Sequence, residues 1–209
     1  MEQKYKNANI MAIFPTPVYE AYLDRAITKS EIDYMNKVSK LVQPNTGNST
    51  SESKNVLNGK PLKKLEKFFM EHVGNYFEEV IKSTNNIKPY ITLSWLNYTH
   101  RDEYHHAHEH ENSMVSGVFY VDANKIYDSI RFFKSGYQQI KPTIKEYNIW
   151  NSTSWYVPVE TGKLVLFPSY LSHCVDTKKG DNLRVSLAFN VFVKGTVGTE
   201  KNITKLEFK

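Results

Sequence analysis

The spacing of apolar residues changes near position 88. In "PLKKLEKFFMEHVGNYFEEVIKST" (61–84), Leu62, Leu65, Phe69, His72 or Val73, Phe77 and Val80 form one stripe, with lysines and glutamates on the other side. That is the period of a helix buried along one face, and Pro61 suits its first turn. His72 lies close to the stripe and reads as a helix or core histidine. A shorter helix is predicted for "SEIDYMNKVSKLV", where Ser30 and Asp33 fit a capping box. "IMAIFPTPVYEAYL" (10–23) reads as extended, and its two prolines place it at a sheet edge. "QPNTGNSTSESKN" (43–55) has no period and reads as a surface loop.

From Lys88 onward the alternation has a period of two. "PYITLSWLNYT", "MVSGVFYV", "SIRFF", "SWYVPV", "GKLVLFP", "LSHCV", "LRVSLAFNVFV" and "ITKLEF" are short strand candidates separated by turn residues. Such spacing predicts a sandwich or barrel. "KSGYQQIKPTIKEYNIWNST" (134–153) is a longer insertion, read as a lid or rim loop. With Tyr137, Trp150 and Trp155 it points to an aromatic-rimmed entrance. The predicted fold class is α+β, mainly β. One domain spans 1–209, with an extended segment and two helices in 1–87 laid against a β core in 88–209.

Composition narrows the function classes. The chain has 209 residues, 40% hydrophobic and 13% aromatic, as a folded core requires. No run of 18 apolar residues exists, and the N-terminus lacks the pattern of a secretory leader. The single Cys174 excludes an internal disulfide and fits a cytoplasmic protein. The net charge of +5 comes from scattered lysines, with only four arginines among 27 basic residues. That describes a solubilising surface rather than a nucleic-acid face. An arginine inside a strand therefore needs a reason of its own.

Five of the seven histidines lie between His100 and His110. On a regular strand His106, His108 and His110 share one face, and His105 and Glu109 share the other. Two same-face imidazoles can converge on one ion, and a third ligand must come from elsewhere. The one histidine after His110 is His173. His105 and His106 read as rim residues. In "LRVSLAFNVFV", Leu183, Val185, Leu187, Phe189 and Val191 form a core face. Arg184, Ser186, Ala188 and Asn190 form the other, small and polar with one cation. A buried guanidinium calls for an anion, and a carboxylate gripped in bidentate fashion is the natural partner. Ile91, Leu93, Trp95 and Asn97 line one face of the first long strand, where the Asn97 amide could bond a ligand or a neighbouring backbone.

"WLNYTHRDEYHHAHEHENSMVSGVFYV" resembles the motif run of a 2-oxoglutarate/iron(II) oxygenase family of marine bacteria and their phages. The matching positions are Trp95, Asn97, Tyr104, His108, His110 and Ser116-Gly117-Val118-Phe119-Tyr120. "GKLVLFPSYLSHCV" and "NLRVSLAFN" resemble its second half, so the likeness covers about 88–195. The resemblance implies a double-stranded β-helix, or jelly roll, with the metal between its sheets and the two N-terminal helices on the major sheet. It implies His108 and His173 as Fe(II) ligands, with His110 where most of the superfamily has a carboxylate. It implies Arg184, helped by Ser186, on the distal carboxylate of 2-oxoglutarate, Asn97 in contact with that cosubstrate, and Tyr120 in the pocket. The implied activity is a cytoplasmic oxygenase, a hydroxylase, that couples 2-oxoglutarate decarboxylation to oxidation of a small molecule or peptide, with ascorbate as a supporting reductant. His100-Arg101-Asp102 spells the superfamily's His-x-Asp triplet, but eight residues early. Two rivals stand beside this reading: a three-histidine, cupin-like dioxygenase without cosubstrate, and a non-catalytic jelly-roll binding module.

Overall fold

The computed structural model describes residues 8–136, 140 and 142–209. Its strands are β1 (Tyr19–Tyr22), β2 (Val42–Asn45), β3 (Asn48–Ser51), β4 (Ile87–Thr99), β5 (His105–His108), β6 (Val115–Asp122), β7 (Ser129–Phe133), β8 (Ser154–Pro158), β9 (Lys163–Pro168), β10 (His173–Val175), β11 (Arg184–Val197) and β12 (Leu206–Phe208). Two α-helices precede the main strands, α1 (Lys29–Val38) and α2 (Lys63–Tyr76). A major sheet runs β1-β9-β6-β11-β4-β3-β2, with β12 also paired to β11, and a minor sheet runs β5-β10-β7-β8. All recorded ladders are antiparallel, which gives a mainly β jelly roll with few helices.

The central strands of the major sheet keep opposite chemistries on their two faces. Leu96, Phe119, Leu164, Leu166, Leu187 and Phe189 point toward the helices and are buried with Leu65, Phe69 and Val73 of α2. Phe69 stacks on Phe189 at 5.0 Å and 18°. Between the sheets a smaller core gathers Tyr120, Ile130, Phe132, Val165, Phe167 and Leu171. Its open end is polar.

Several sequence expectations shift here for identifiable reasons. The cap of α1 is Thr28, not Ser30. Its hydroxyl and the Glu31 carboxylate form the capping box, while Asp33 pairs with Lys29 at 2.6 Å. Pro61 lies in a short 3-10 turn (Lys60–Leu62) ahead of α2. The helix then widens into a π-helical turn (Phe77–Ile81), which carries Val80 off the stripe and into solvent. The early extended segment pairs only over β1, beyond Pro15 and Pro17, whose rings remove backbone donors. The expected surface loop at 43–55 contains a hairpin, β2–β3, with Gly47 at φ 88° in its turn and Asn48, Thr50 and Ser51 buried. A bulge in β4 sets Leu93 opposite Asn190 but Ile91 opposite Val191. It moves Ile91 to the helix side, away from Leu93, Trp95 and Asn97.

Candidate metal centre and oxoacid pocket

β5 and β10 pair side by side, with His108 opposite His173. The ring centroids of these two histidines are 4.4 Å apart, and His110 lies over His173 at 5.2 Å and 9°. His110 follows the end of β5, and its backbone N–H donates to the Ser169 carbonyl at 3.0 Å. One potential ligand atom from each of His108, His110 and His173 falls within 4.8 Å of the others. Imidazole nitrogens bound to one ion at about 2.0–2.1 Å lie about 3–4 Å apart, so small ring rotations close the set. His108 Nδ1 lies 2.8 Å from the His106 carbonyl and His173 Nδ1 lies 3.0 Å from the Leu171 carbonyl. A carbonyl only accepts, so both Nδ1 atoms carry the proton and each Nε2 presents a lone pair.

Burial keeps the cluster neutral. It pushes His173 down to about 3, aided by His108, and His110 down to about 4, again with His108 adding to it. His108 is lowered by burial as well, partly offset by its bond to the His106 carbonyl. Neutral imidazole is the ligating form, so these groups are ready for a cation at ordinary pH.

Beside the histidines, three strands of the major sheet bring polar side chains into one row. Ser186 pairs with Asn97 on β4 and with Tyr120 on β6, and Arg184 pairs with Thr99. All five are buried. The Arg184 guanidinium lies 5.8 Å from the Tyr120 ring, and its one hydrogen bond among the described residues is a long 3.4 Å contact to the Ser129 carbonyl. Burial lowers the Arg184 pKa, and burial raises that of Tyr120 to about 12. Arg184 Nε, Tyr120 Oη, Asn97 Oδ1 and His106 Nδ1 are buried without a partner among the described residues. The one other such atom, Tyr98 Oη, is on the helix side of β4. Each orphaned group costs about 1–3 kcal/mol, and the three on adjoining strands of the major sheet, at Arg184, Tyr120 and Asn97, mark a place built for a polar ligand. A dicarboxylate fits the donors, and three lone pairs fit a divalent cation.

His105 departs from the parity expectation. β5 takes three steps, His108 to His105, while β10 takes two, His173 to Val175. This bulge turns His105 inward, where it stacks on His108 at 4.6 Å and 25°. Burial pushes its pKa down to about 2, with His108, His106 and the charge of Arg184 adding to the effect. Its Nε2 lies 3.1 Å from Asn45 Nδ2 in the missed hairpin, and Asn45 also bonds Asn48, which bonds Thr99. The Asn-Thr-Gly-Asn turn, with glycine at positive φ, is a sequence signal from which this hairpin could have been read. His100 is exposed and Asp102 occupies a left-handed turn, so the His100-Arg101-Asp102 triplet takes no part. Glu109 and Glu111 do not join the cluster.

Trp150 and Trp155 line a cleft of about 620 Å³ together with Ile13, Phe14, Phe132 and Leu171. Tyr137, expected at the same rim, lies outside the described residues. No helix among the described residues is long and apolar enough to cross a membrane.

Fold and cluster thus define a jelly roll with a buried polar pocket next to three convergent imidazoles. Residues 93–190 match the sequence model of a family described as "Putative 2OG-Fe(II) oxygenase". Solved structures with a similar fold include a 2OG-Fe(II) oxygenase family oxidoreductase from Burkholderia pseudomallei, at 11% identity and TM-score 0.54, covering 82% of this chain and 83% of that one. HygX from Streptomyces hygroscopicus, with nickel, 2-oxoglutarate and hygromycin B bound, is similar at 10% identity and TM-score 0.55, over 84% and 82%. A prolyl-4-hydroxylase from Pseudomonas putida is similar at 11% identity and TM-score 0.54, over 84% and 92%. No curated protein sequence matches the chain. The family match spans a little under half of the chain, and the solved structures share its fold.

Proposed function

We propose that His108, His110 and His173 hold Fe(II), that Arg184 grips the distal carboxylate of 2-oxoglutarate, and that the enzyme hydroxylates a C–H bond of a small molecule or peptide. The supporting observation is a buried guanidinium, with no carboxylate partner among the described residues, next to three neutral imidazoles. When bound, the iron supplies oxygen activation coupled to decarboxylation of the cosubstrate. The chain's own residues do the rest. Arg184 neutralises and orients the dicarboxylate, the Tyr120 and Ser186 hydroxyls donate to it, and Asn97 offers an amide whose orientation can be reversed to donate. The carbonyls of His106 and Leu171 fix the tautomers of His108 and His173. Phe167, 4.6 Å from His173 between ring centroids, helps keep water away.

Three imidazoles leave the ion with one more positive charge than two imidazoles and a carboxylate would, so nickel and zinc compete with iron for this set. The test is anaerobic: Fe(II) and 2-oxoglutarate are added and the weak visible charge-transfer band is recorded. His108→Ala and Arg184→Ala should abolish it. An unchanged band in both variants overturns the assignment. The same all-imidazole set supports a second reading, a dioxygenase whose substrate chelates the metal with no cosubstrate. Succinate among the products separates the two, because only the first reading makes it.

A further inference from the structure

The bulge in β5 gives the histidine run a second geometry. His105, His106 and His108 each offer a ligand atom within 4.8 Å of the others, a trio distinct from His108, His110 and His173. Their ring centroids lie 4.6–5.3 Å apart. His106 Nδ1 is buried and has no hydrogen-bond partner among the described residues, as expected of a nitrogen whose partner is an ion. His105 has an outer contact at Asn45, 3.1 Å from its Nε2. With the Asn45 and Asn48 amides turned over together, Asn48 donates to Asn45 Oδ1 and accepts from the Thr99 hydroxyl, and Asn45 Oδ1 also accepts from His105 Nε2–H, which leaves Nδ1 to ligate, an outer contact of the kind that orients metal-bound histidines.

We propose that His105, His106 and His108 form a second seat for a divalent late transition metal, one that shares His108 with the catalytic seat and competes with it. The competition follows from His108 itself. Its Nδ1 donates to the His106 carbonyl, so Nε2 alone has a lone pair, and one lone pair serves one ion. The two seats are therefore filled in alternation, and an ion in the second leaves His110 and His173 unused. The oxygenase reading seats the oxoacid with an ion held by His108, His110 and His173, so the oxoacid draws the ion to the first seat by mass action. This last step rests on the oxygenase reading above, whereas the seat itself does not. The ligands are all imidazole, which suits copper, nickel and zinc.

Copper(II) is the probe, with electron paramagnetic resonance as the readout. One equivalent added to the whole wild-type protein should give two overlapping nitrogen-ligated signals that collapse to one on adding 2-oxoglutarate. The double variant His105→Ala, His106→Ala should give one signal from the start. His110→Ala with His173→Ala should bind copper at least about tenfold more tightly than the protein lacking all four of these side chains. A single wild-type signal before 2-oxoglutarate overturns the second seat, as does equal affinity in the last two variants. The wild-type spectrum needs no substitution, so a variant that fails to fold leaves the result readable. If 2-oxoglutarate changes no spectrum while two signals are present, the oxygenase reading fails and the second seat stands.

Discussion

Lys178 and Arg184 are both buried cations at the same end of the jelly roll, with relative exposures of 2% and 3%, and their surroundings are opposite. The Lys178 ammonium donates to the Gly180 carbonyl at 3.0 Å and Asn182 Oδ1 at 2.8 Å, and it faces Asp128 at 3.5 Å. Asp128 in turn accepts from the Asn124 backbone and the Asn182 amide. The Lys178 main chain also bonds Asp102 and Glu103, at the entrance to the histidine strand. Arg184 has one long contact to a carbonyl and an orphaned Nε. A charge whose needs are met inside the chain holds loops together. A charge left short of partners at comparable depth is set up for something that arrives from outside.

Substitutions can break that contrast. The largest effect is expected from Asp128→Ala, which strands a buried ammonium. A loss of about 3–5 kcal/mol is predicted, measured by urea unfolding of the metal-free protein. Arg184→Met should do the reverse, keeping or raising stability because no internal partner is lost. It should weaken 2-oxoglutarate binding by about 1.5–3 kcal/mol, roughly tenfold to over a hundredfold in its KM. A fall in stability as large as that of Asp128→Ala would erase the distinction.

Smaller tests sharpen it. Glu31 is a buried carboxylate at a helix start rather than a pocket. Burial alone would raise its pKa, but hydrogen bonds from Arg25 and Thr28 outweigh it and hold the group below its ordinary value. A depressed carboxylate stabilises the folded state above its unfolded pKa, and that contribution is lost as pH falls through the folded value. Glu31→Gln should therefore cost about 1 kcal/mol at pH 7 and progressively less in acid, in thermal melts at several pH values. The smallest effect belongs to Tyr120→Phe. Deleting a partnerless hydroxyl should leave metal-free stability unchanged or raise it by up to about 1 kcal/mol. 2-Oxoglutarate binding should weaken only a few-fold in an anaerobic titration.

The strands were legible because period-two alternation is a local signal. All eight segments predicted after Lys88 form strands, and the two faces of β11 divide as parity requires. His108 and His173 meet across a ladder whose existence, though not its partners, could be read from the chain. What stayed hidden was set by register between distant segments. No local pattern announces that β5 spends an extra residue against β10, and this extra residue is what turns His105 inward. The bulge that moved Ile91 is of the same kind. The β2–β3 hairpin escaped because its buried face is Asn48 and Thr50 rather than apolar, so hydropathy gave no alternation to read. The Asp128–Lys178 pair is assembled from two loops and left no trace in either one.

The run Ser116-Gly117-Val118-Phe119-Tyr120 answers to two different demands. Ser116 and Tyr120 look toward the polar pocket, while Gly117 and Phe119 look toward α2. A methyl group on Gly117 would run into the Phe189 ring, the ring on which Phe69 of the helix lies. The glycine is thus a clearance for a neighbour's aromatic ring and has no part in chemistry. A descendant of this chain that abandoned catalysis yet kept its helices would still be obliged to spell every second letter of that word.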